Sequence, residues 1–176
     1  MTSPSVSEWL PAPEVKDDVD ALSDVLHAVV HDGASVSFVL PFPLDEARAY
    51  WRESVLPALR AGNRRMWVAK LDARIVGTVQ LLLDTPPNQR HRAEIAKLLV
   101  HPNARRKGIG RALMEAAETG ARAEGRTLLT LDTRTGDRAE PLYLAMGYRI
   151  AGVIPNYARG PHSPALESTT LMYKPL

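Results

Sequence analysis

A strongly basic turn with two glycines joins an apolar run to a helical pattern near the middle of the chain. The apolar run ends at Val100 and is interrupted by Pro102, and residues 105–111 read Arg-Arg-Lys-Gly-Ile-Gly-Arg. Backbone amides at the start of a helix lack partners within it, and the helix dipole adds positive potential there. Glycines let the backbone approach a ligand closely. The turn therefore predicts a phosphate-binding loop between a strand and a helix.

Composition limits what can surround this loop. The chain has 176 residues, 45% of them apolar, which suits one domain, residues 1–176, with a sizeable core. There is no cysteine, which excludes a thiolate nucleophile and cysteine-bound zinc, and no other ligand cluster predicts a metal site. The net charge is only +2 and no aromatic residue adjoins the basic turn, so no nucleic-acid partner is expected. No leader or run of about 20 apolar residues is evident, so we expect a cytoplasmic protein without membrane contact.

The periodicity of apolar residues predicts alternating strands and helices around the loop. Before the turn we expect an edge strand at Val6–Leu10, a helix ending near Gly33, and a second helix at Leu44–Ala61 bent at Pro57. Three strands follow, at Met66–Leu71, Ile75–Leu83 and His91–Val100. After the turn we expect a helix, a strand at Thr127–Thr133, a short helix through Met146, and closing strands at Tyr148–Val153 and Ala165–Tyr173. This order predicts an α+β fold with a mixed sheet, in which the strands flanking the long central helix are parallel.

Two spacings predict which side chains meet. Strict alternation places Glu94, Leu98 and Val100 on the same face of their strand. In the helix after the turn, Glu118 and Arg122 are four residues apart and are expected to pair on its exposed side.

The basic turn does not fit the two common nucleotide motifs. A Walker loop requires Lys followed by Ser or Thr after its second glycine, whereas Lys107 precedes Gly108. A dinucleotide fingerprint requires three glycines after an early strand, and only Gly108 and Gly110 are present. The loop therefore predicts a phosphate ligand of another kind.

Three segments together resemble the GCN5-related N-acetyltransferase superfamily. Arg105–Gly110 matches its acetyl-CoA signature, R/Q-x-x-G-x-G/A, Leu98–Pro102 resembles the strand before it, and Leu142–Tyr148 resembles its "LY…GF/Y" segment. Within the superfamily, His91–Glu94 and Leu131–Thr133 look most like the tabtoxin-resistance type of small-molecule acetyltransferase. The resemblance implies a mostly antiparallel sheet of about seven strands, with strands 4 and 5 splayed apart, flanked by about four helices.

The resemblance also implies how the acetyl donor, acetyl-CoA, is held. Main-chain groups of the strand before the loop would pair with the pantetheine arm, while loop amides and basic side chains would hold the pyrophosphate. The residues implicated are Leu98, Leu99, Val100, Arg105, Arg106, Lys107, Gly108, Ile109, Gly110 and Arg111.

Three residues are candidates for the chemistry of acetyl transfer, which requires removal of a proton from the amine and protonation of the thiolate. By resemblance, Glu94 is the base, although it could instead only pair with Arg92. Tyr143 is the acid, with a half-buried structural tyrosine as the alternative. Asp132 could bind the amine or assist Glu94, or simply stabilise a turn.

The function implied is direct transfer of an acetyl group from acetyl-CoA to a primary amine of a small molecule. A protein or peptide acceptor and a non-catalytic acyl-CoA sensor are the alternatives. The acceptor would be chosen by the segments around Phe42–Trp51 and Pro155–Pro164. A homodimer is possible, since dimers are common in this superfamily.

Overall fold

The computed structural model describes residues 4–11 and 15–176. Its centre is a seven-stranded sheet in the order β1-β2-β3-β4-β5-β7-β6. The strands are β1 (Ser5–Glu8), β2 (Arg64–Leu71), β3 (Arg74–Leu82), β4 (Arg92–Val100), β5 (Leu128–Arg134), β6 (Arg149–Arg159) and β7 (Leu166–Pro175). Only β4 and β5 are parallel to each other; the other neighbouring pairs are antiparallel. The α+β class and the mixed, mostly antiparallel sheet are confirmed.

Helices cover the two faces of the sheet. They are α1 (Lys16–His31), α2 (Leu44–Ala49), α3 (Leu56–Arg60), α4 (Ile109–Ala123) and α5 (Glu140–Ala145). On one face α4 and α5 pack on a core that includes Trp67, Leu81 and Ile95. On the other face α1 and the stretch from α2 to α3 pack on a second core that includes Met66 and Leu99. We call these the α4 face and the α1 face.

The predicted second helix is wrong in its details. The stretch is broken into α2, six residues of π-helix at Tyr50–Val55, and α3. The irregularity therefore comes before Pro57, which lies in the first turn of α3, where a missing amide costs no helical hydrogen bond. The wider turn inserts Trp51, which is fully buried, into the α1-face core.

Strands β4 and β5 separate soon after they meet. Their register runs only from Arg92 opposite Leu128 to Glu94 opposite Thr130, although β4 continues to Val100. The side of β4 that faces β5 therefore has no strand partner after Glu94. This confirms the expected splay and opens a cleft above the start of α4.

A β-bulge in β4 overturns the predicted alternation. The register with β3 shifts between Thr78 and Gln80, and Lys97 adopts a positive φ of 51°. Because the extra residue reverses the pattern, Leu98 and Val100 pack against the α4-face core. Ile95 also lies on that face, so its neighbour Glu94 points to the α1 face, away from Leu98 and Val100.

Two other expectations also need correction. Glu118 is not on an exposed face with Arg122: it is 6% exposed and accepts a hydrogen bond from Lys174 Nζ at 2.7 Å. The first half of the predicted Pro155–Pro164 loop is strand, because β6 continues to Arg159, and β7 begins only at Leu166. The connection that closes the sheet is therefore short.

Candidate active site

The cleft between β4 and β5 is a cavity of about 750 Å³. Its walls come from the loop after α1, from β4 and β5, from the basic turn and from α5. At one end it is lined by Glu94, Asp132 and Tyr143, and at the other by Arg105, Arg106, Gly108, Ile109, Gly110 and Arg111. The splay thus joins the predicted catalytic residues to the predicted phosphate loop in one continuous space.

The basic turn has the backbone geometry of an anion site. Gly108 precedes the first residue of α4 with φ +75°, and Arg106 also has a positive φ, 65°. Left-handed residues at this point turn successive amides towards the cleft, and α4 adds its dipole. A side chain at Gly110 would come within 3.3 Å of Leu142, so its glycine allows α5 to pack against the turn.

Arg105 is held in place by two contacts. Its Nη1 donates to Asp32 Oδ2 at 2.5 Å, and its Nε donates to the Val100 carbonyl at 3.3 Å. Arg138 Nη1 lies 3.5 Å from the same Asp32 oxygen. The hydrogen bond from Arg105 lowers the pKa of Asp32, so this carboxylate stays charged and fixes the arginine at the end of α1.

Eight of the ten residues predicted to hold the donor line the cavity. Leu99 and Lys107 do not. Leu99 is fully buried in the α1-face core, so only its main chain could face a ligand. Lys107 is exposed at the tip of the turn and is not part of the cavity wall.

Glu94 and Asp132 lie close enough to influence each other. Partial burial raises the pKa of Glu94, and the charge of Asp132 raises it further, while Arg92 and Lys97 oppose the shift. The ion pair with Arg92 is loose, with 3.9 Å between Nη1 and Oε2, because that guanidinium is engaged by Gln89 and Thr130. Asp132 Oδ2 accepts a hydrogen bond from Thr169 at 3.0 Å.

Tyr143 lies across the cavity on α5 and is 6% exposed. Burial raises the pKa of its phenol, and the charges of Asp137 and Asp132 add to the shift. Within residues 4–11 and 15–176 its hydroxyl has no hydrogen-bond partner. A neutral phenol that lines the cavity can therefore donate a proton there.

The sequence did not predict the role of the loop after α1. Residues 32–37 line the cavity, and two other cavity residues reach this loop. Arg134 Nη1 donates to the Gly33 carbonyl at 3.1 Å, and Lys97 Nζ donates to Ser37 Oγ at 3.0 Å. A polar segment between two helices carries no motif, so only the positive charge on the neighbouring strands could have pointed to it.

The β6–β7 connection contacts the end of α1 and the segment before α2. Leu40 N donates to the Pro161 carbonyl at 3.4 Å, and His162 Nε2 lies 3.0 Å from the His31 carbonyl. Of the two segments that were expected to choose the acceptor, Pro155–Pro164 thus contacts His31 and Leu40, but none of its residues lines the cavity. Phe42 and Trp51 themselves are buried in the core.

The model of the Acetyltransferase (GNAT) family matches residues 29–148, more than half of the chain. The chain belongs to this family of N-acetyltransferases. An uncharacterized N-acetyltransferase from Azospirillum brasilense is 32% identical over 126 residues, which cover 70% of this chain and 73% of that protein. N-acetyltransferase 8B of Rattus norvegicus is 30% identical over 66% of this chain, but the match spans only 59% of its own length.

Solved structures show the same GNAT fold. The ribosomal-protein-alanine N-acetyltransferase of Brucella melitensis superposes with a TM-score of 0.80 at 21% identity, covering 98% of this chain and 99% of that one. A putative acetyltransferase from Salmonella typhimurium, solved with its cofactor acetyl-CoA, has a TM-score of 0.79 at 17% identity, covering 99% and 95%. The comparisons establish an acetyltransferase of the GNAT family but leave its acceptor open.

The cavity fits the chemistry of acetyl-CoA. An extended, amide-rich arm needs an unpaired strand edge, and β4 provides one after Glu94. A pyrophosphate needs amides and cations, which the turn before α4 provides. When bound, acetyl-CoA supplies the acetyl group as an activated thioester.

Proposed function

We propose that the protein transfers an acetyl group from acetyl-CoA directly to a primary amine of a small molecule. The observation that carries the proposal is the continuity of the cavity from the basic turn to Glu94, Asp132 and Tyr143. A donor held by its phosphates at one end would be aligned along β4 towards the acidic end. Because the chain has no cysteine, no thiol is available to carry the acetyl group as a thioester-enzyme.

In this proposal Glu94 accepts the proton of the acceptor ammonium. A carboxylate whose pKa is raised is a better match to proton transfer near neutral pH than an ordinary glutamate. Its loose contact with Arg92 leaves the carboxylate free to receive an amine. Asp132 adds negative charge beside it, which favours the positively charged amine before the proton leaves.

Tyr143 returns a proton to the departing thiolate. Its phenol remains neutral because burial raises its pKa, so the proton is present at physiological pH. The main chain after the bulge at Lys97 faces the same cleft, where an unpaired amide could stabilise charge developing on the carbonyl oxygen.

The small size of the acceptor is supported by the enclosure of the cavity on the side of the loop after α1. The loop after α1 is bonded to the β6–β7 connection and to Arg134. A peptide would require an open groove at this place. The Brucella relative by fold is named for a protein substrate, so a protein acceptor is the second candidate to be tested.

Calorimetry with acetyl-CoA and an assay of thiol release over a panel of amines and peptides test the proposal. We expect acetyl-CoA to bind at sub-millimolar concentration and small amines to release thiol faster than peptides.

Glu94→Gln and Tyr143→Phe should each lower kcat about 100-fold or more with little change in acetyl-CoA affinity. Glu53→Gln, at an exposed position outside the cavity wall, is the matched control. Absence of acetyl-CoA binding would falsify the proposal.

Finer expectations from the sequence stay predictions. They are the tabtoxin-resistance type, the cytoplasmic location, the single domain and the homodimer. None of the helices in the described part of the chain is long and apolar enough to span a bilayer.

A further inference from the structure

Two cations near the acidic end of the cavity have no carboxylate partner within the described residues, and one of them lines the cavity. Lys97 lies in the cavity wall, and its only hydrogen bond within the described ranges goes to Ser37 Oγ at 3.0 Å. Arg64 lies behind it and donates Nη1 to Gln80 Oε1 at 2.7 Å, while its buried Nε has no partner in that part of the chain. Neither forms an ion pair with a described residue, although Glu94 and Asp132 are near enough to affect Lys97.

The backbone conformation of β4 places Lys97 in the cavity wall. It is the bulged residue of β4, and its positive φ of 51° is unusual for a lysine. The bulge directs its side chain to the α1 face, over which the loop with Ser37 passes. Strain of this kind persists where surrounding structure enforces it, and it is common at binding sites.

The surroundings of Lys97 favour an anion. Burial lowers the pKa of its ammonium, and the charge of Arg64 lowers it further, with partial opposition from Asp132 and Glu94. A negatively charged group beside Lys97 would offset both effects. Glu94 and Asp132 attract a positive charge in the same chamber, so the chamber carries opposite charges on neighbouring walls.

We propose that the acceptor is an amine that also carries a carboxylate, that is, a molecule of the amino-acid class. Lys97 and Ser37 bind the carboxylate, and Glu94 with Asp132 receive the ammonium. The inference rests on the proposed acetyltransferase function and adds the second charged group of the substrate. No covalent step beyond the acetyl transfer already described is needed.

The test compares free amino acids with their amides and with the corresponding decarboxylated amines. Thiol release is measured for each member of the set with the wild-type protein. Loss of a hydrogen bond between charged groups reduces affinity by about 10-fold to 100-fold. We therefore expect kcat/KM for the acids to exceed that for the amides and amines by about this factor, mostly through KM.

Lys97→Met should remove the preference by raising KM for the acids alone. Lys97→Arg should retain part of it, because it keeps the charge. Lys16→Met, on an exposed lysine at the start of α1, should change nothing. KM for acetyl-CoA should be the same in all four proteins, which also shows that the variants fold.

Three results would overturn the inference while leaving the acetyltransferase intact. They are equal rates for acids and amides, an acid preference that persists in Lys97→Met, and a rise in KM for acetyl-CoA in place of the acceptor. The last result would assign Lys97 to the donor.

If no amine is acetylated, the proposed function fails, and the anion site is then tested by binding. The ¹³Cε resonance of Lys97 is assigned by its loss in Lys97→Arg, and glycine and alanine are titrated beside their amides in the presence of coenzyme A. A shift with the acids alone supports the anion site. A shift with neither, or with both equally, refutes it.

Discussion

The coupling between Glu94 and Asp132 is the residue-scale feature that most directly predicts a pH profile. Asp132 raises the pKa of Glu94 by its charge. Asp132→Asn should therefore lower that pKa and move the acidic limb of kcat/KM towards lower pH. The sign is definite, because removing a negative neighbour favours the carboxylate form. The profile is measured with the acceptor well below its KM and acetyl-CoA saturating, and an unmoved acidic limb would show that Glu94 is not the titrating group.

Gly120 shows a close approach that a single methyl group would disturb. A Cβ at this position would lie 2.2 Å from Cζ2 of Trp67, a buried ring in the α4-face core. Alanine favours a helix by about 1 kcal/mol over glycine, but overpacking of this kind costs about 1–3 kcal/mol. We expect Gly120→Ala to lower the free energy of unfolding in urea. Gly152→Ala, where nothing lies within 4 Å, is the control.

At the scale of single residues, the sequence could indicate which side chains lie together where a motif connected them, and their roles stay predictions. Glu94, Asp132, Tyr143 and most of the basic turn were proposed from sequence, and the fold brings them to one cavity. Lys97 was expected on the opposite face from Glu94 because strict alternation was assumed. A bulge has no signature in a single sequence when the residue at positive φ is a lysine rather than a glycine.

At the scale of elements, the end of α1 supports the phosphate loop through Asp32 and Arg105. Asp32→Asn should raise KM for acetyl-CoA several-fold, because Arg105 loses its charged partner. KM for the acceptor should be unchanged. Asp24→Asn, which removes a surface ion pair of the same helix with Arg74 outside the cavity wall, is the matched control. Equal KM values for acetyl-CoA in the two variants would contradict this role.

The same pair predicts a pH dependence of stability. The pKa of Asp32 is lowered in the folded state, so its contribution is present above the ordinary value of 3.8 and is lost as pH falls through the folded value. The difference in melting temperature between wild type and Asp32→Asn should therefore shrink at acidic pH. A difference that stays constant from neutral to acidic pH would argue against the ion pair.

The order of the elements could be predicted because each strand and helix carries its own period. The break in the second helix could not. The π-helical residues Tyr50–Val55 have ordinary helical composition, and the wide turn is selected by the burial of Trp51 against the sheet. The packing of Trp51 therefore determines where this helical stretch is irregular. Pro57 is the obvious local signal for a bend, but the irregularity lies before it.

At the scale of the whole molecule, ligand binding should stabilise the fold. A ligand that binds only the native state at about 100 times its Kd adds about 2.7 kcal/mol. We expect acetyl-CoA to raise the melting temperature and to slow hydrogen exchange in β4 after Glu94 and in the basic turn. Exchange in β2 where it pairs with β1, at the outer edge of the sheet and outside the cavity wall, serves as an internal control. Uniform protection of the whole chain would not fit a ligand held along β4.

The walls around Glu94 and Asp132 could not be predicted from the sequence, because they come from segments that are distant along the chain. They combine the loop after α1 with β4, β5 and α5, so that residues as far apart along the chain as Ser37 and Tyr143 line one cavity. The basic turn, in contrast, is one continuous segment, residues 105–111. A contiguous motif can be recognised in isolation, whereas a chamber assembled by the fold has no local pattern.

The splay of β4 from β5 also bears on self-association. An unpaired strand edge normally offers hydrogen-bonding groups to any other chain, and outer edges of sheets are common starting points for aggregation. Here the open edge of β4 lies between two strands inside the protein, where the loop after α1 and α5 flank it. A narrow, extended molecule can reach these groups, but a second folded chain cannot. The unpaired main-chain groups of β4 therefore stay available to a ligand. They do not promote the aggregation that an outer strand edge of the same length would promote.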